Sequence, residues 1–324
     1  MRLSSFQYHA PASLSRCAQL LERYGEEATL AAGGTDLFVR MKLGLAKKSH
    51  VISLAAVEGI DGIIIDRKGA LILGAGTTLS DIARSPLVRE RVPVLADSAS
   101  LVATAQVRNM GTLGGNIFQE TRCSYYNRSA AWRRAVAPCF KRGGDLCHVF
   151  PKGKKCFAVY QGDLAPVLIA LGSTAIVTGN GKKEEMPLEG LFTGEGKSPF
   201  RESGHLLLSR VRISLLQEGE HAAYRKYRVR KGMDYPLAGV AVKTSRKAGS
   251  VEELKVCLTG VSSAPVILSK ASELARGKDL TDELTGLIAD AAYKAAHPVD
   301  NLEVPASRRR EMVRLMTAEM LRNM

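Results

Sequence analysis

Short apolar runs alternate along the chain with stretches whose apolar residues recur at helical spacing, and that alternation predicts the elements. In residues 13–24 the apolar positions Leu14, Cys17, Ala18 and Leu21 fall on one face behind the start signals Pro11 and Ser13, so an amphipathic helix is expected. Buried strands are expected at 28–32, 51–54 and 71–76, then at 174–177 and 206–213, with helical stretches at 78–84 and 95–107. Residues 108–116 are too rich in glycine for regular structure, and 190–204, rich in Gly, Ser and charge, read as a surface loop. Regular pattern resumes at 163–171. Beyond residue 217 the texture changes: strands at 222–229, 238–244 and 254–261 precede helices at 271–275, 282–296 and 307–323. Overall class is therefore α+β, with an α/β domain at 1–217 followed by a domain at 218–324 built on a three-stranded antiparallel sheet and helices.

Composition narrows the class without choosing a function. With 324 residues, 45% of them hydrophobic and 24% charged, the chain can bury the cores of two or three packed units. It contains no run near the roughly 18 apolar residues of a membrane span, and its N-terminus lacks the apolar stretch of a signal peptide, so the expected compartment is the cytoplasm. A net charge of +14 suits nucleic acid, an acidic protein or an anionic ligand alike. Arg308-Arg309-Arg310 and the five cations of 225–231 come without a helix-turn-helix, zinc-finger or RRM-type aromatic pattern. They read as solvated faces or subunit contacts, and nucleic-acid binding is not expected.

Two glycine loops carry candidate chemistry. Gly33-Gly34-Thr35-Asp36 follows a predicted strand; glycines let the backbone approach a phosphate, their N–H groups donate inward, and Thr35 adds a hydroxyl. A tight turn is the plainer explanation of such a tetrad. Gly111-Thr112-Leu113-Gly114-Gly115-Asn116 repeats the same kit about 80 residues on. Neither loop has the Walker pattern or the spaced glycines of a Rossmann site, so the pair suits a dinucleotide held between two loops.

In order and spacing, Ala32-Gly33-Gly34-Thr35-Asp36-Leu37, then Arg108-Asn109 with 111–116, then Tyr224-Arg225-Lys226 with Arg230, and Leu258-Thr259-Gly260-Val261 resemble the motifs of the flavoprotein subunit in the xanthine dehydrogenase and carbon monoxide dehydrogenase family. The resemblance implies a two-part PCMH-type FAD-binding domain and the family's C-terminal domain. It implies that Leu30, Ala31, Ala32, Gly33, Gly34, Thr35, Asp36 and Leu37 wrap the FAD pyrophosphate, and that Thr112, Leu113, Gly114, Gly115 and Asn116 form the second flavin loop. Val102, Asp163, Leu207 and Lys226 match further FAD contacts. Lys226 would place a cation near the flavin; otherwise it is a solvated lysine beside a basic strand.

Four of the six cysteines, Cys123, Cys139, Cys147 and Cys156, fall in one segment, whereas Cys17 and Cys257 stand apart. In a reducing compartment such a cluster reads as metal-binding before it reads as disulfides. Gaps of fifteen, seven and eight residues give no zinc-type knuckle, but four thiolates are the complement of a [4Fe–4S] cluster. Between 121 and 157 nine Lys or Arg face a single acid, Asp145, which would offset a negative cluster and attract an acidic electron carrier. His148 beside Cys147 is a candidate donor to it, or a plain polar residue.

This segment, inserted at 119–160, resembles the cysteine loop of the beta subunits of 4-hydroxybenzoyl-CoA reductases. That likeness implies an electron-transfer subunit with FAD and [4Fe–4S], and as partners a large molybdenum–pterin subunit and a small subunit with two [2Fe–2S] clusters, in a dimer of heterotrimers. Electrons would enter from ferredoxin, pass to FAD and go on to molybdenum for removal of a phenolic hydroxyl from an aromatic CoA thioester. No acid–base or nucleophile constellation adjoins the glycine loops, so catalysis is expected on a partner. Two other readings stay open: a hydroxylase of purines, aldehydes or N-heterocycles with electrons flowing outward, and a zinc-stabilised basic binding module.

Overall fold

Three sheets carry the fold in the computed structural model, which describes residues 3–179, 182–201, 206–230 and 232–324. The first is parallel, in the order β1 (Gln7–His9), β3 (His50–Ser53), β2 (Ala28–Ala31). The expected N-terminal helix forms at Leu14–Tyr24, where the Ser13 hydroxyl accepts from Arg16 N at 3.3 Å. It packs Cys17, Leu20 and Leu21 on Ala28 and Ile52, so Cys17 is a core residue.

The second sheet is antiparallel in the order β4-β5-β8-β6-β7: β4 (Ile63–Ile65), β5 (Leu71–Gly74), β6 (Thr174–Gly179), β7 (Lys182–Pro187), β8 (Leu207–Ile213). Its neighbours β5 and β8 lie far apart in sequence, and both the helical segment and the cysteine segment are threaded between them. The helix Leu164–Ala170 has every residue buried, as its unbroken apolar run LAPVLIA requires, and it centres the main core with Leu95, Leu113, Ile117, Val211 and Ile213.

Two expectations change here. The single helix at 95–107 is two, Pro93–Ser100 and Ala105–Met110, separated by a bend in which Ala103 has φ +43°. The second glycine loop is also more regular than its composition allows: Leu113–Ile117 is a short helix, because Thr112 Oγ1 accepts from Gly115 N at 3.1 Å and caps it. Of the expected loop at 190–204, residues 202–204 lie outside the described residues, as does Lys231 of the basic run.

The third sheet, β12-β11-β10-β9, is antiparallel: β9 (Glu220–Tyr227), β10 (Ala238–Lys247), β11 (Ser250–Thr259), β12 (Val266–Ile267). The two-residue β12, too short to read from pattern, adds an edge to the three strands expected. Alternate residues of β10 serve two cores. Val240 and Val242 pack against the helices Asp282–Ala295 and Ala306–Arg322, whereas Ala241 and Cys257 join the main core. Arg309 is not the solvated residue its triplet suggested: it is 0% exposed and donates to the carbonyls of Leu237 and Val299 and to Asn301 Oδ1, and Gly260 O accepts from it as well. Among the described residues, no helix is long and apolar enough to cross a membrane.

Candidate functional site

Strand β2 runs directly into the first glycine loop. A Cβ on Gly33 would stand 1.7 Å from the Met110 carbonyl oxygen, so only glycine lets this loop touch the end of the helix Ala105–Met110. The second loop is fixed in turn by Leu79 N to Gly111 O (2.8 Å), Leu113 N to Thr77 O (2.9 Å) and Gly114 N to Ala75 O (2.8 Å). Two loops about 80 residues apart in sequence therefore face each other.

Between them opens a cavity of about 670 Å³. Leu30, Ala32, Gly33, Gly34, Thr35, Asp36, Leu37, Val102, Thr112, Gly114, Gly115, Asn116, Asp163 and Leu207 all line it. Ala31 and Leu113 do not; each is buried in a core behind the wall. Asn116 also has a structural task, since its Oδ1 accepts from Leu164 N and caps the central helix. Arg40, Gln119, Glu120 and Tyr235 line the cavity too and were not anticipated, because nothing local marks them. Arg40 Nε and Gln119 Nε2 are buried donors without a hydrogen-bond partner among the described residues. Both are polar atoms left unsatisfied beside the cavity, which a buried site rarely tolerates without a reason.

Lys226 is neither solvated nor on the cavity wall. Its ammonium donates to Asp163 Oδ1 (3.0 Å), Leu101 O (2.9 Å) and Asp234 O (3.3 Å), which uses all three of its hydrogens. Asp163 also accepts from the Tyr224 hydroxyl at 2.9 Å. Burial raises the Asp163 pKa above the carboxylate norm, and Lys226 and Tyr224 offset only part of that cost. The same lysine holds the bend at 101–103 beside 233–235. There Met233 N donates to Ala103 O at 3.3 Å, and both residues take positive φ (+52° and +43°). Non-glycine residues in this region are strained, and both of these line the cavity.

The four clustered cysteines line one small cavity of their own, with Tyr125, Tyr126, Lys141 and His148. Reciprocal backbone bonds between Arg122 and Val159 (2.8 and 2.7 Å) close the neck of the segment. A tight loop follows: Phe140 N donates to Leu146 O and Gly144 N to Cys139 O, and a Cβ on Gly144 would lie 1.8 Å from Pro138 O. Cys156 is anchored by its N–H to Glu195 Oε1 (2.9 Å) and its carbonyl to Gly196 N (3.0 Å). All four thiols are free. Burial pushes the Cys123 thiol up, against N–H bonds from Tyr125 and Tyr126, and pushes Cys156 up to about 11, against the Ala158 N–H at 3.4 Å. His148 Nε2 donates to Ala137 O and its ring stacks on Tyr125, so its polar edge is already engaged. As placed, no three His, Cys, Asp or Glu side chains among the described residues form a closed ligand group; the thiols converge on the cavity without closing around a point.

An ion pair bridges the two cavities. Glu120 lines the glycine cavity and its carboxylate accepts from Arg40 (2.9 Å) on that side and from Lys141 (2.7 Å) of the cysteine cavity on the other. Burial alone would raise the Glu120 pKa, but the two cations outweigh it and hold the carboxyl below its ordinary value.

Residues 4–213 match the family described as FAD binding domain in molybdopterin dehydrogenase, and 222–324 match the CO dehydrogenase flavoprotein C-terminal domain. The carbon monoxide dehydrogenase medium chain of Hydrogenophaga pseudoflava is 29% identical over 319 residues, covering 98% of this chain and 96% of that one. The FAD-binding subunit of the Escherichia coli aldehyde oxidoreductase is 28% identical over 281 residues, 84% of each chain. Among solved structures, carbon monoxide dehydrogenase from H. pseudoflava lacking the Mo-pyranopterin moiety superposes with a TM-score of 0.81 at 27% identity, covering 98% of this chain and 96% of that chain.

Proposed function

Because the chain belongs to the family of FAD-binding domains of molybdopterin dehydrogenases, as the FAD subunit of a molybdenum hydroxylase-type oxidoreductase, we propose that it holds FAD in the glycine-lined cavity and a [4Fe–4S] cluster at Cys123, Cys139, Cys147 and Cys156. One observation carries the reading: four free thiols, spread over more than thirty residues, converge on a cavity that is joined to the cavity between the glycine loops by the ion pair of Lys141, on its own wall, with Glu120, on the other.

The residues present suit both groups. For FAD, the glycine wall admits a ligand close to the backbone, and two residues of that wall, Arg40 and Gln119, each keep an unsatisfied polar atom beside it. For the cluster, the donor set is four thiols, with backbone N–H groups already directed at Cys123 and Cys156. Bound there, the pair supplies electron transfer between one-electron and two-electron carriers. The chain's own residues position them: Glu120 balances Arg40 and Lys141 between the sites, and Lys226 fixes Asp163 and the strained bends of the cavity wall. Of the nine cations between 121 and 157, Arg128, Arg134, Lys152, Lys154 and Lys155 are exposed, and they favour an acidic carrier such as ferredoxin at this face.

On the likeness of the cysteine loop, the complex removes a phenolic hydroxyl from an aromatic CoA thioester such as 4-hydroxybenzoyl-CoA, with electrons passing inward to a large molybdenum–pterin subunit beside a small [2Fe–2S] subunit. A cytoplasmic dimer of heterotrimers is the expected assembly. The names of the relatives, which include carbon monoxide and aldehyde oxidising enzymes, favour a second reading in which electrons leave through FAD. Substrate assays of the complex in both directions separate the two.

Anaerobic purification followed by flavin, iron and acid-labile sulfide analysis, with EPR after dithionite reduction, tests the cofactor set. One FAD with about four irons per chain supports it, and Cys139→Ser then loses iron while keeping FAD. Flavin with no iron after anaerobic reconstitution returns the chain to a plain flavoprotein subunit; zinc without flavin returns it to a binding module.

A further inference from the structure

We propose that Arg122 is a positioning residue that couples the two cavities, so that filling the cysteine cavity with a cluster tightens FAD binding and FAD in turn holds the cluster; this rests on the cofactor reading above.

Arg122 stands at a junction of three segments. Its backbone closes the neck of the cysteine segment against Val159, and the next residue is Cys123. Its side chain leaves the cysteine segment altogether. One guanidinium nitrogen, Nη2, donates to Asp36 Oδ1 of the first glycine loop (2.5 Å) and to the Tyr235 hydroxyl (2.5 Å). The guanidinium also lies over the Tyr235 ring, 3.9 Å from its centroid. Asp36 and Tyr235 both line the glycine cavity, and Tyr235 comes from the segment carrying the positive-φ residue Met233. One side chain thus joins the cysteine neck, the Gly-Gly-Thr-Asp loop and the C-terminal domain, and its Nε is buried with no partner among the described residues.

The neck is held from its other side as well. Ser124 N donates to Asn301 O at 2.8 Å, and Asn301 Nδ2 to Phe157 O at 2.6 Å, with Asn301 itself gripped by Arg309. The neck is therefore tied to the C-terminal domain, while the thiols beyond it form no closed ligand group among the described residues. Ligation of Cys123 fixes the backbone that carries Arg122, and Arg122 then holds Asp36 and Tyr235 where FAD meets them. A ligand couples to a second site only through contacts that differ between the two states, and the coupling requires that those of Arg122 with Asp36 and Tyr235 tighten when Cys123 is ligated. By linkage the effect is equal in both directions.

The test measures the FAD dissociation constant of the full chain, by flavin fluorescence under anaerobic conditions, with the cluster loaded and after its removal by chelation. The wild type is expected to bind FAD about tenfold tighter when loaded. Arg122→Ala is expected to take up iron and FAD yet bind FAD equally in both forms, and Arg122→Lys, which keeps the charge at Asp36 but not the planar stack, to fall between. Should Arg122→Ala fail to fold, Tyr235→Phe decides the matter by a ratio reduced from the wild type. A wild-type ratio of one, or a variant that keeps the full ratio, overturns the coupling while leaving both cofactors in place. A wild type that binds FAD and never iron overturns the cofactor reading, and the coupling with it.

Discussion

Asp163 and Lys226 meet at 3.0 Å with side chains only 3% and 1% exposed, joining the start of the central buried helix to the first strand of the C-terminal sheet. Lysine at 226 thus acts on the cavity through Asp163 and through the carbonyls of Leu101 and Asp234, without lining it. Breaking such a pair leaves a buried charge alone.

Lys226→Met is therefore expected to cost about 3–5 kcal/mol of stability at neutral pH, with Asp163→Asn/Lys226→Met recovering part of it. The sign of the pH dependence follows from the raised Asp163 pKa. A carboxyl whose folded pKa lies above its unfolded value binds more protons when folded, so its contribution is greatest below the unfolded pKa and is lost as pH rises through the folded one. Removing the cation raises the folded pKa further and widens that window upward. Urea melts of the wild type and Lys226→Met from pH 4 to 8 check this; a deficit that does not shrink on acidification refutes it.

Gly33→Ala is expected to abolish FAD binding, because its Cβ cannot coexist with the Met110 carbonyl 1.7 Å away and the two loops must part. Gly286→Ala, in the helix Asp282–Ala295 with open space at its Cβ, serves as the control and should stabilise by about 0.5–1 kcal/mol. Flavin content against melting temperature distinguishes a lost site from a lost fold.

Burial lowers the Arg309 pKa to about 10, but the guanidinium still answers four acceptors within the C-terminal domain, one of them on Asn301, which in turn holds the cysteine neck. Arg309→Met should cost roughly 3 kcal/mol or more, since those acceptors lose their donor in a buried place. Arg309→Lys should recover little, because an ammonium cannot reach all of them. Equilibrium denaturation provides the measurement; a change within 0.5 kcal/mol, the usual range for a surface site, would return Arg309 to the solvated face its triplet suggests.

The sequence by itself determined the elements whose signals are local. Leu14–Tyr24 forms because its apolar stripe and Ser13 cap are contiguous, β2 and β3 because short apolar runs end at turns, and the C-terminal helices because their periodicity is long. The glycine loops were legible for the same reason: backbone that must approach another atom closely leaves glycine behind in the sequence. Tertiary structure decided what depends on distant partners. The capped helix Leu113–Ile117, the burial of Lys226 and Arg309, and the cavity positions of Arg40, Gln119 and Tyr235 follow from contacts made across the chain, which composition and periodicity do not record. The cysteines show both halves at once. Their number and spacing name a thiol chemistry, but only the neck at Arg122 and Val159 and the turn at Gly144 bring the four to one cavity, because loop closure is set by the bonds that hold the ends.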